Sequence, residues 1–136
     1  MKEQIDDARQ KAILNVNHWG GRTMTYGGTL IMEDKSVYTY RYCLFMNEES
    51  GNNQQHSFLN NKNHLTKIKE LSDGEFKKVI SFIEEILKEN YTDQQIFDYG
   101  YSVKVNHNGV KKEVKNVDSL YNKAKDLIAS LTENNS

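Results

Sequence analysis

Residues 17 to 28, NHWGGRTMTYGG, gather side chains of the types that proteins use to bind other molecules. Trp19, the chain's single tryptophan, directly precedes the first of two Gly-Gly pairs, and Arg22 and Tyr26 lie between the pairs. Tryptophan, arginine and tyrosine are enriched at the energetic centres of protein interfaces, because large rigid side chains gain contact area at little entropic cost. We predict that the segment is mainly a turn or a bent strand, and that Trp19, Arg22 and Tyr26 contact a protein partner.

The same segment contains groups that could bind an anion. Backbone N–H groups of Gly20 and Gly21, beside the Arg22 guanidinium, would offer donors to a phosphate or carboxylate. The segment lacks the GxGxxG spacing and the Lys-Ser/Thr ending of phosphate-binding loops. An anion- or nucleotide-binding domain that uses Gly20 to Arg22 is therefore kept as an alternative.

Strand periodicity adds a second set of candidate binding residues. In VYTYRYCLF, strict alternation places Tyr38, Tyr40 and Tyr42 on one strand face, and Tyr99 and Tyr101 share a face of another strand. Tyrosine is ordinary in strand packing and is also favoured at recognition surfaces. Whether another element covers this face decides between packing and recognition. We include Tyr38, Tyr40 and Tyr42 among the predicted partner-binding residues.

The residues able to perform catalysis show no known catalytic spacing. None of the four histidines lies three or four residues from another, and CxxC and HExxH are absent. Glu84 and Glu85, adjacent on a helix, point about 100° apart and cannot act as one carboxylate pair. We therefore predict no metal, no cofactor and no catalytic residue. A small enzyme with scattered catalytic groups is kept as an alternative.

Composition places the chain among soluble single-domain proteins. It has 136 residues with 18 basic and 19 acidic side chains, so its formal net charge of -1 argues against a nucleic-acid partner. The N-terminal stretch lacks the apolar run of a secretory signal, and no stretch reaches membrane-spanning length. We expect a single cytoplasmic domain over residues 1–136, with no membrane partner.

Local patterns predict the elements that must position these residues. TLIM and VYTYRYCLF, separated by the polar EDKS, are typical of a hairpin, whereas residues 2–14 fit a helix or a strand equally well. A long polar loop is expected near 46–65. Ser72 and Glu75 form a capping box that begins a helix with one apolar stripe.

The dipeptide Asn108-Gly109 predicts a second hairpin, because these residues readily take the positive φ angles of a type I′ turn. This turn would pair Val103 with Val114 and Lys104 with Glu113. A closing helix with Asp118 as its N-cap follows, and the tail near 132–136 is expected to fray. The predicted core residues of the two helices are Phe76, Ile80, Ile83, Leu87, Leu120, Leu127, Ile128 and Leu131.

The resulting order is hairpin, helix, hairpin, helix, and an extra N-terminal element is kept as an alternative. This order predicts an α+β fold in which an antiparallel sheet of about four strands carries two helices packed on one face.

Residues 71–131 resemble the emfourin type of small protein inhibitor of thermolysin-like metalloproteases. In that family a Gly-Gly segment and strands precede a helix, a D.Y.V.V strand with its hairpin partner, and a closing helix. Asp98, Tyr101, Val103 and Val105 take the strand positions here. The N-terminal segment departs from the family in length and context, so no inhibitory residues are carried over. The resemblance implies a small non-catalytic protein that acts by binding another protein. We therefore predict a protein-binding module, of inhibitor or immunity type, that inhibits or neutralises its partner.

Overall fold

A computed structural model of the protein describes residues 2–20, 25–43, 63–93 and 99–133. In chain order the elements are α1 (Lys2–Lys11), β1 (Leu14–Gly20), β2 (Thr25–Ile31), β3 (Ser36–Cys43), β4 (His64–Glu70), α2 (Asp73–Lys88), β5 (Tyr99–His107), β6 (Val110–Lys115) and α3 (Asp118–Thr132). The strands form one antiparallel sheet in the order β4-β3-β2-β1-β5-β6.

The α+β class and the antiparallel sheet are confirmed, but the predicted counts are wrong. The described ranges hold six strands and three helices, against about four and two expected. None of these helices is long and apolar enough to cross a membrane. The extra elements are α1, β1 and β4, which come from the stretches with the weakest hydrophobic periodicity.

Helices α2 and α3 pack on one face of the sheet, as predicted, and we call it the α2/α3 face. Their buried residues share a core with the strand residues Val16 of β1 and Val103 and Val105 of β5. Of the eight predicted core residues, three are buried: Ile83, Leu120 and Leu131. The other five are partly buried and pack against the same core: Phe76, Ile80, Leu87, Leu127 and Ile128.

Helix α1 covers part of the opposite face, which we call the α1 face. Its Ile5 is fully buried in a second core with Leu30 of β2 and Tyr40 of β3. Residues 2–14, which fit helix or strand, are therefore a helix that leads directly into the central strand β1.

Strand β4 replaces the end of the loop predicted near 46–65, whose residues 46–62 lie outside the described ranges. Val37 pairs with Lys69 and Tyr38 pairs with Lys67, so Ile68 forms a bulge without an opposite residue. Most side chains of β4 are exposed because the strand lies at the sheet edge. A bulged, lysine-bearing edge of this kind resists pairing with another chain.

The N-terminus of α2 has the predicted capping box. The Glu75 N–H donates to Ser72 Oγ at 3.2 Å, and the Ser72 N–H donates to Glu75 Oε1 at 2.9 Å. The N-cap prediction for the closing helix is wrong: Val117 occupies that position without a side-chain cap, and Asp118 is the first helical residue. There its carboxylate still lies in the first turn, where negative charge is favourable.

The second hairpin has the predicted register. Val103 lies opposite Val114 and Lys104 opposite Glu113, across a turn in which Asn108 and Gly109 have φ angles of 54° and 82°. Val110, which shares a strand face with Val114, is 53% exposed because it adjoins the turn at the end of the sheet.

Two lysines of the edge strand β6 form hydrogen bonds with α2 and with the chain that follows it. Lys112 Nζ donates to the Ile86 carbonyl at 2.8 Å, which caps the C-terminal end of α2 with a positive charge. The Lys115 N–H donates to Asp93 Oδ1 at 2.9 Å, so the chain after α2 satisfies part of the open edge. Lys111, Lys112 and Lys115 thus all lie on an edge strand of the sheet.

Two glycine substitutions should have opposite effects on stability. Neither Gly109 nor Gly74 has any atom within 4 Å of the position that a Cβ would occupy. Gly109→Ala should lower the free energy of unfolding by about 1 kcal/mol, because alanine disfavours positive φ. Gly74→Ala, within α2, should raise it by about 0.5–1 kcal/mol, because alanine is the better helix former. Urea denaturation measures both, and a loss at Gly74 matching that at Gly109 would contradict the conformational explanation.

Candidate protein-contact site

Alternation along three adjacent strands brings five of the six predicted partner-binding side chains to the α1 face. Antiparallel pairing sets Trp19 of β1 opposite Tyr26 of β2, and Tyr26 opposite Tyr42 of β3. Tyr40 and Tyr38 follow Tyr42 at every second position of β3 and so point to the same side.

Trp19, Tyr26 and Tyr42 form a continuous line of rings, which we call the aromatic row. The ring centroids of Trp19 and Tyr26 are 6.2 Å apart with an interplanar angle of 31°, and those of Tyr26 and Tyr42 are 6.3 Å apart at 53°. Tilted pairs at such distances are favourable. All three side chains are half-buried, so packing orients the rings while part of each stays accessible to solvent.

Gly100 of β5 provides the space that the Trp19 indole occupies. Gly100 lies opposite Trp19 in the sheet, and a Cβ at Gly100 would be 2.4 Å from Trp19 Cζ2. Any larger residue would therefore displace the indole. The indole thus depends on the lack of a side chain at Gly100, which lies far from Trp19 in sequence. This role of Gly100 was not predicted from the sequence.

Arg9 of α1 borders the aromatic row and was also missed. Its guanidinium carbon lies 5.2 Å from the Tyr26 ring centroid and 5.6 Å from that of Tyr40, within the range of cation–π attraction. The Arg9 side chain is 27% exposed and lies 3.9 Å from the Asp6 carboxylate. The site therefore combines rings from the sheet with a cation from the helix beside them.

Tyr40 is a core residue, which corrects its assignment as a partner-binding residue. Its side chain is only 3% exposed, and its hydroxyl lies 3.5 Å from Asn15 Oδ1. Tyr38 is half-buried and packs against the same core under α1. Helix α1 therefore covers the part of this face that carries Tyr38 and Tyr40, whereas the aromatic row lies beside the helix.

The burial of Tyr40 has a measurable consequence at high pH. Burial raises the pKa of the Tyr40 hydroxyl from its ordinary 10.0 to about 12. A group whose pKa is raised on folding stabilises the fold below the pKa of the unfolded state, so this stability should be lost between about pH 10 and 12. An ultraviolet titration should show a tyrosine with a pKa of about 12, and Tyr40→Phe should remove it. Titration of every tyrosine together near pH 10 in the folded protein would contradict this assignment.

Tyr101, from the other predicted tyrosine face, is covered by α3. The Tyr101 ring stacks on the Tyr121 ring, with centroids 4.4 Å apart and an interplanar angle of 27°. Tyr101 thus packs inside the protein's own structure, in line with its role as a strand residue of the α2/α3 face.

Arg22, the sixth predicted partner-binding residue, lies outside the described residues, as do residues 21–24 as a whole. Gly20 ends β1 and Thr25 begins β2, so NHWGGRTMTYGG is largely two paired strands, with four residues joining them. The alternative of an anion site at Gly20 to Arg22 stays a prediction.

The histidines within the described ranges are separated from one another. His18, His64 and His107 occupy different strands, and those ranges contain no group of three or more His, Cys, Asp or Glu side chains that could hold a metal ion. His56 lies outside the described residues. His107 Nε2 lies 3.9 Å from Glu84 Oε2.

A cleft of about 360 Å³ lies next to His107, at the end of the sheet farthest from the aromatic row. Ile13, Phe76 and Ile80 give it apolar walls, while Lys11 and Glu33 contribute charges. Such a combination of an apolar wall and convergent polar groups is a common arrangement for a small ligand. It is the feature that would favour the enzyme alternative.

Comparison of the chain with known proteins gave no relative. No protein-family model, no curated protein and no solved structure matches it. The resemblance of residues 71–131 to emfourin-type inhibitors therefore stays a prediction, and the function has to be argued from the site itself.

Proposed function

We propose that the chain is a small non-catalytic module that binds a partner protein through the aromatic row and thereby inhibits or neutralises it. The observation that carries this proposal is the line of three half-exposed rings, Trp19, Tyr26 and Tyr42, across three adjacent strands. Large aromatic side chains dominate the binding energy of protein interfaces.

The setting of the rings supports association with a protein. They project from paired strands and contact one another, so few torsions remain to be immobilised when a partner binds. Arg9 adds a cation at the border, where a carboxylate of the partner would gain both charge attraction and hydrogen bonds. The inhibitory role rests on the resemblance to emfourin-type proteins.

A cytoplasmic setting is part of the same proposal. Cys43, the chain's single cysteine, is a free thiol buried in β3. A chain that needs no disulfide suits a reducing compartment.

Affinity capture tests the proposal. Tagged wild-type protein, a Trp19→Ala/Tyr42→Ala double variant and a Lys78→Ala control should be incubated with native lysate, and the retained proteins should be identified and quantified. We expect a specific protein that wild type and Lys78→Ala retain equally and that the double variant loses. Equal retention by all three folded proteins would show that the aromatic row is not the contact surface.

The 360 Å³ cleft supports a small enzyme as the second candidate function. His107 beside Glu84 could exchange protons with a ligand held between Phe76 and the turn at Gly109. The purified protein should then turn over a small substrate, and His107→Gln should abolish the turnover while Trp19→Ala leaves it unchanged. The proposed binding function predicts instead that Trp19→Ala weakens capture of the partner protein and that His107→Gln leaves it unchanged.

A further inference from the structure

A groove of about 470 Å³ lies on the α2/α3 face, on the opposite side of the sheet from the aromatic row. It runs between α3 and the strands β1 and β2. Val16 and Ile128 line its apolar part, whereas His18, Thr29 and Lys125 bring polar groups to it. Three separate elements thus direct hydrogen-bond donors into one groove.

The donors of this groove make no hydrogen bond or ion pair within the described residues. Within the described ranges, the imidazole nitrogens of His18 and the hydroxyl of Thr29 have no hydrogen-bond partner, and no carboxylate lies within 4 Å of Lys125 Nζ. The Lys125 ammonium instead lies 5.4 Å from the centroid of the Tyr121 ring. An incoming ligand would therefore not have to displace an existing bond.

Gly27 leaves space for the His18 imidazole on the side of the sheet that carries Arg41. His18, Gly27 and Arg41 stand opposite one another on β1, β2 and β3 and share one face. A Cβ at Gly27 would be only 3.2 Å from His18 Cε1, so the imidazole lies over this glycine. The ring is thereby directed toward the strand that carries the Arg41 guanidinium.

The electrostatic environment of His18 agrees with this geometry. Partial burial lowers the pKa of His18, and the positive charges of Lys125 and Arg41 lower it further. Glu133, beyond the end of α3, is the acidic residue that lines the groove. The groove itself therefore contains one ammonium and one carboxylate, and the Arg41 guanidinium adds a second positive charge near His18.

We propose that this groove binds a small oxyanion, the phosphate or carboxylate group of a ligand, between the His18 imidazole, the Lys125 ammonium and the Thr29 hydroxyl. Charge-assisted hydrogen bonds from such donors are the strong ones, and a histidine and a lysine together can neutralise an anion that either would hold weakly. The inference does not depend on the aromatic row, because the two sites lie on opposite faces.

The proposal fixes the direction of the pH dependence. A bound anion stabilises protonated His18, so its pKa should rise in the complex and the affinity should increase as pH falls through that pKa. The charged groups near the imidazole are Lys125 of α3 and Arg41 of β3, and Glu133, just after α3, lines the same groove. Burial raises the pKa of Tyr121, which is therefore neutral between about pH 5 and 8.

Nuclear magnetic resonance of the His18 ring tests the site directly. Wild-type protein should be titrated with sodium sulfate, which keeps its charge, at about pH 5.5 and about pH 7.5. We expect saturable shifts of the His18 signals, with tighter binding at the lower pH. Lys125→Gln should weaken sulfate binding about tenfold or more. His18→Gln should remove the pH dependence, and Lys78→Gln, an exposed lysine of α2, should change nothing.

Parallel titrations with inorganic phosphate and with acetate identify the ligand chemistry. Tighter binding of phosphate and sulfate assigns the groove to a phosphate group, and tighter binding of acetate assigns it to a carboxylate. The absence of saturable shifts with all three anions would overturn the proposal. So would equal sulfate affinity of wild-type protein and Lys125→Gln, since the lysine would then take no part in binding.

Discussion

Replacing Trp19 by alanine is expected to weaken binding of the partner protein by at least about 2 kcal/mol, or about thirtyfold in Kd. Trp19 is the largest ring of the aromatic row and begins the line that continues through Tyr26 to Tyr42. Its removal would take away contact area at one end of the row and would free Tyr26 from its packing neighbour. Isothermal titration of the purified partner at fixed salt concentration measures the change, with Lys78→Ala as the near-neutral control.

The fold of the Trp19→Ala variant must be checked, because the indole packs against Gly100. Thermal unfolding and backbone resonances should show a folded domain. Gly100→Ala offers an independent variant, since it keeps the indole but displaces it, and it should also weaken binding. A folded Trp19→Ala variant that binds as tightly as wild type would contradict the proposed role. Global unfolding of this variant would instead assign Trp19 to the structure.

The largest effect on stability is expected at Ile83. Replacing Ile83 by alanine should lower the free energy of unfolding by about 2–5 kcal/mol, through lost burial and the cavity left behind. Ile83 lies at 0% exposure on α2, within the core that the two helices share with the sheet. The residue therefore reports whether α2 docks on the α2/α3 face as described.

Ile68→Ala is the matched control, because it removes the same atoms from a site that is 46% exposed at the β4 bulge. Its loss of stability should stay within about 0.5 kcal/mol. Urea denaturation of the three proteins, with equal m-values, gives both differences. Similar small losses at Ile83 and Ile68 would show that the helix does not bury this face.

Elements whose signals are local in sequence could be predicted. The Asn108-Gly109 turn defined the β5–β6 register because turn geometry, the Val103–Val114 pair and the Lys104–Glu113 pair all require the same pairing. The capping box at Ser72 set the start of α2 in the same way. Each of these choices is decided by residues close together along the chain.

Strand β1 was predicted only in part, as a turn or a bent strand from residue 17 onward, because polar residues interrupt its hydrophobic alternation. Asn15 and Asn17 are buried, and both are paired across the sheet: Tyr40 Oη lies 3.5 Å from Asn15 Oδ1, and Ser102 Oγ donates to Asn17 Oδ1 at 3.2 Å. Asparagine is typical of turns unless such partners exist. These partners are distant in sequence, so no local pattern can reveal them.

The candidate site could be predicted only as a shared strand face. Alternation correctly grouped Tyr38, Tyr40 and Tyr42, but their burial depends on where α1 lies, which the ambiguous residues 2–14 left open. The contribution of Arg9 follows from the same helix. Packing of an amphipathic segment onto one of two available faces is a tertiary choice that periodicity does not determine.

Photochemical cross-linking from the aromatic row tests the central claim most directly. A photoreactive benzoylphenylalanine should be placed at Tyr42 in one variant and at Lys78 in another, and each should be irradiated in native lysate. The proposed function predicts that position 42 forms a covalent adduct with one specific protein and that position 78 forms none. Excess wild-type protein should suppress that adduct by competition. An adduct with the captured partner at position 78 but not at position 42 would contradict the account.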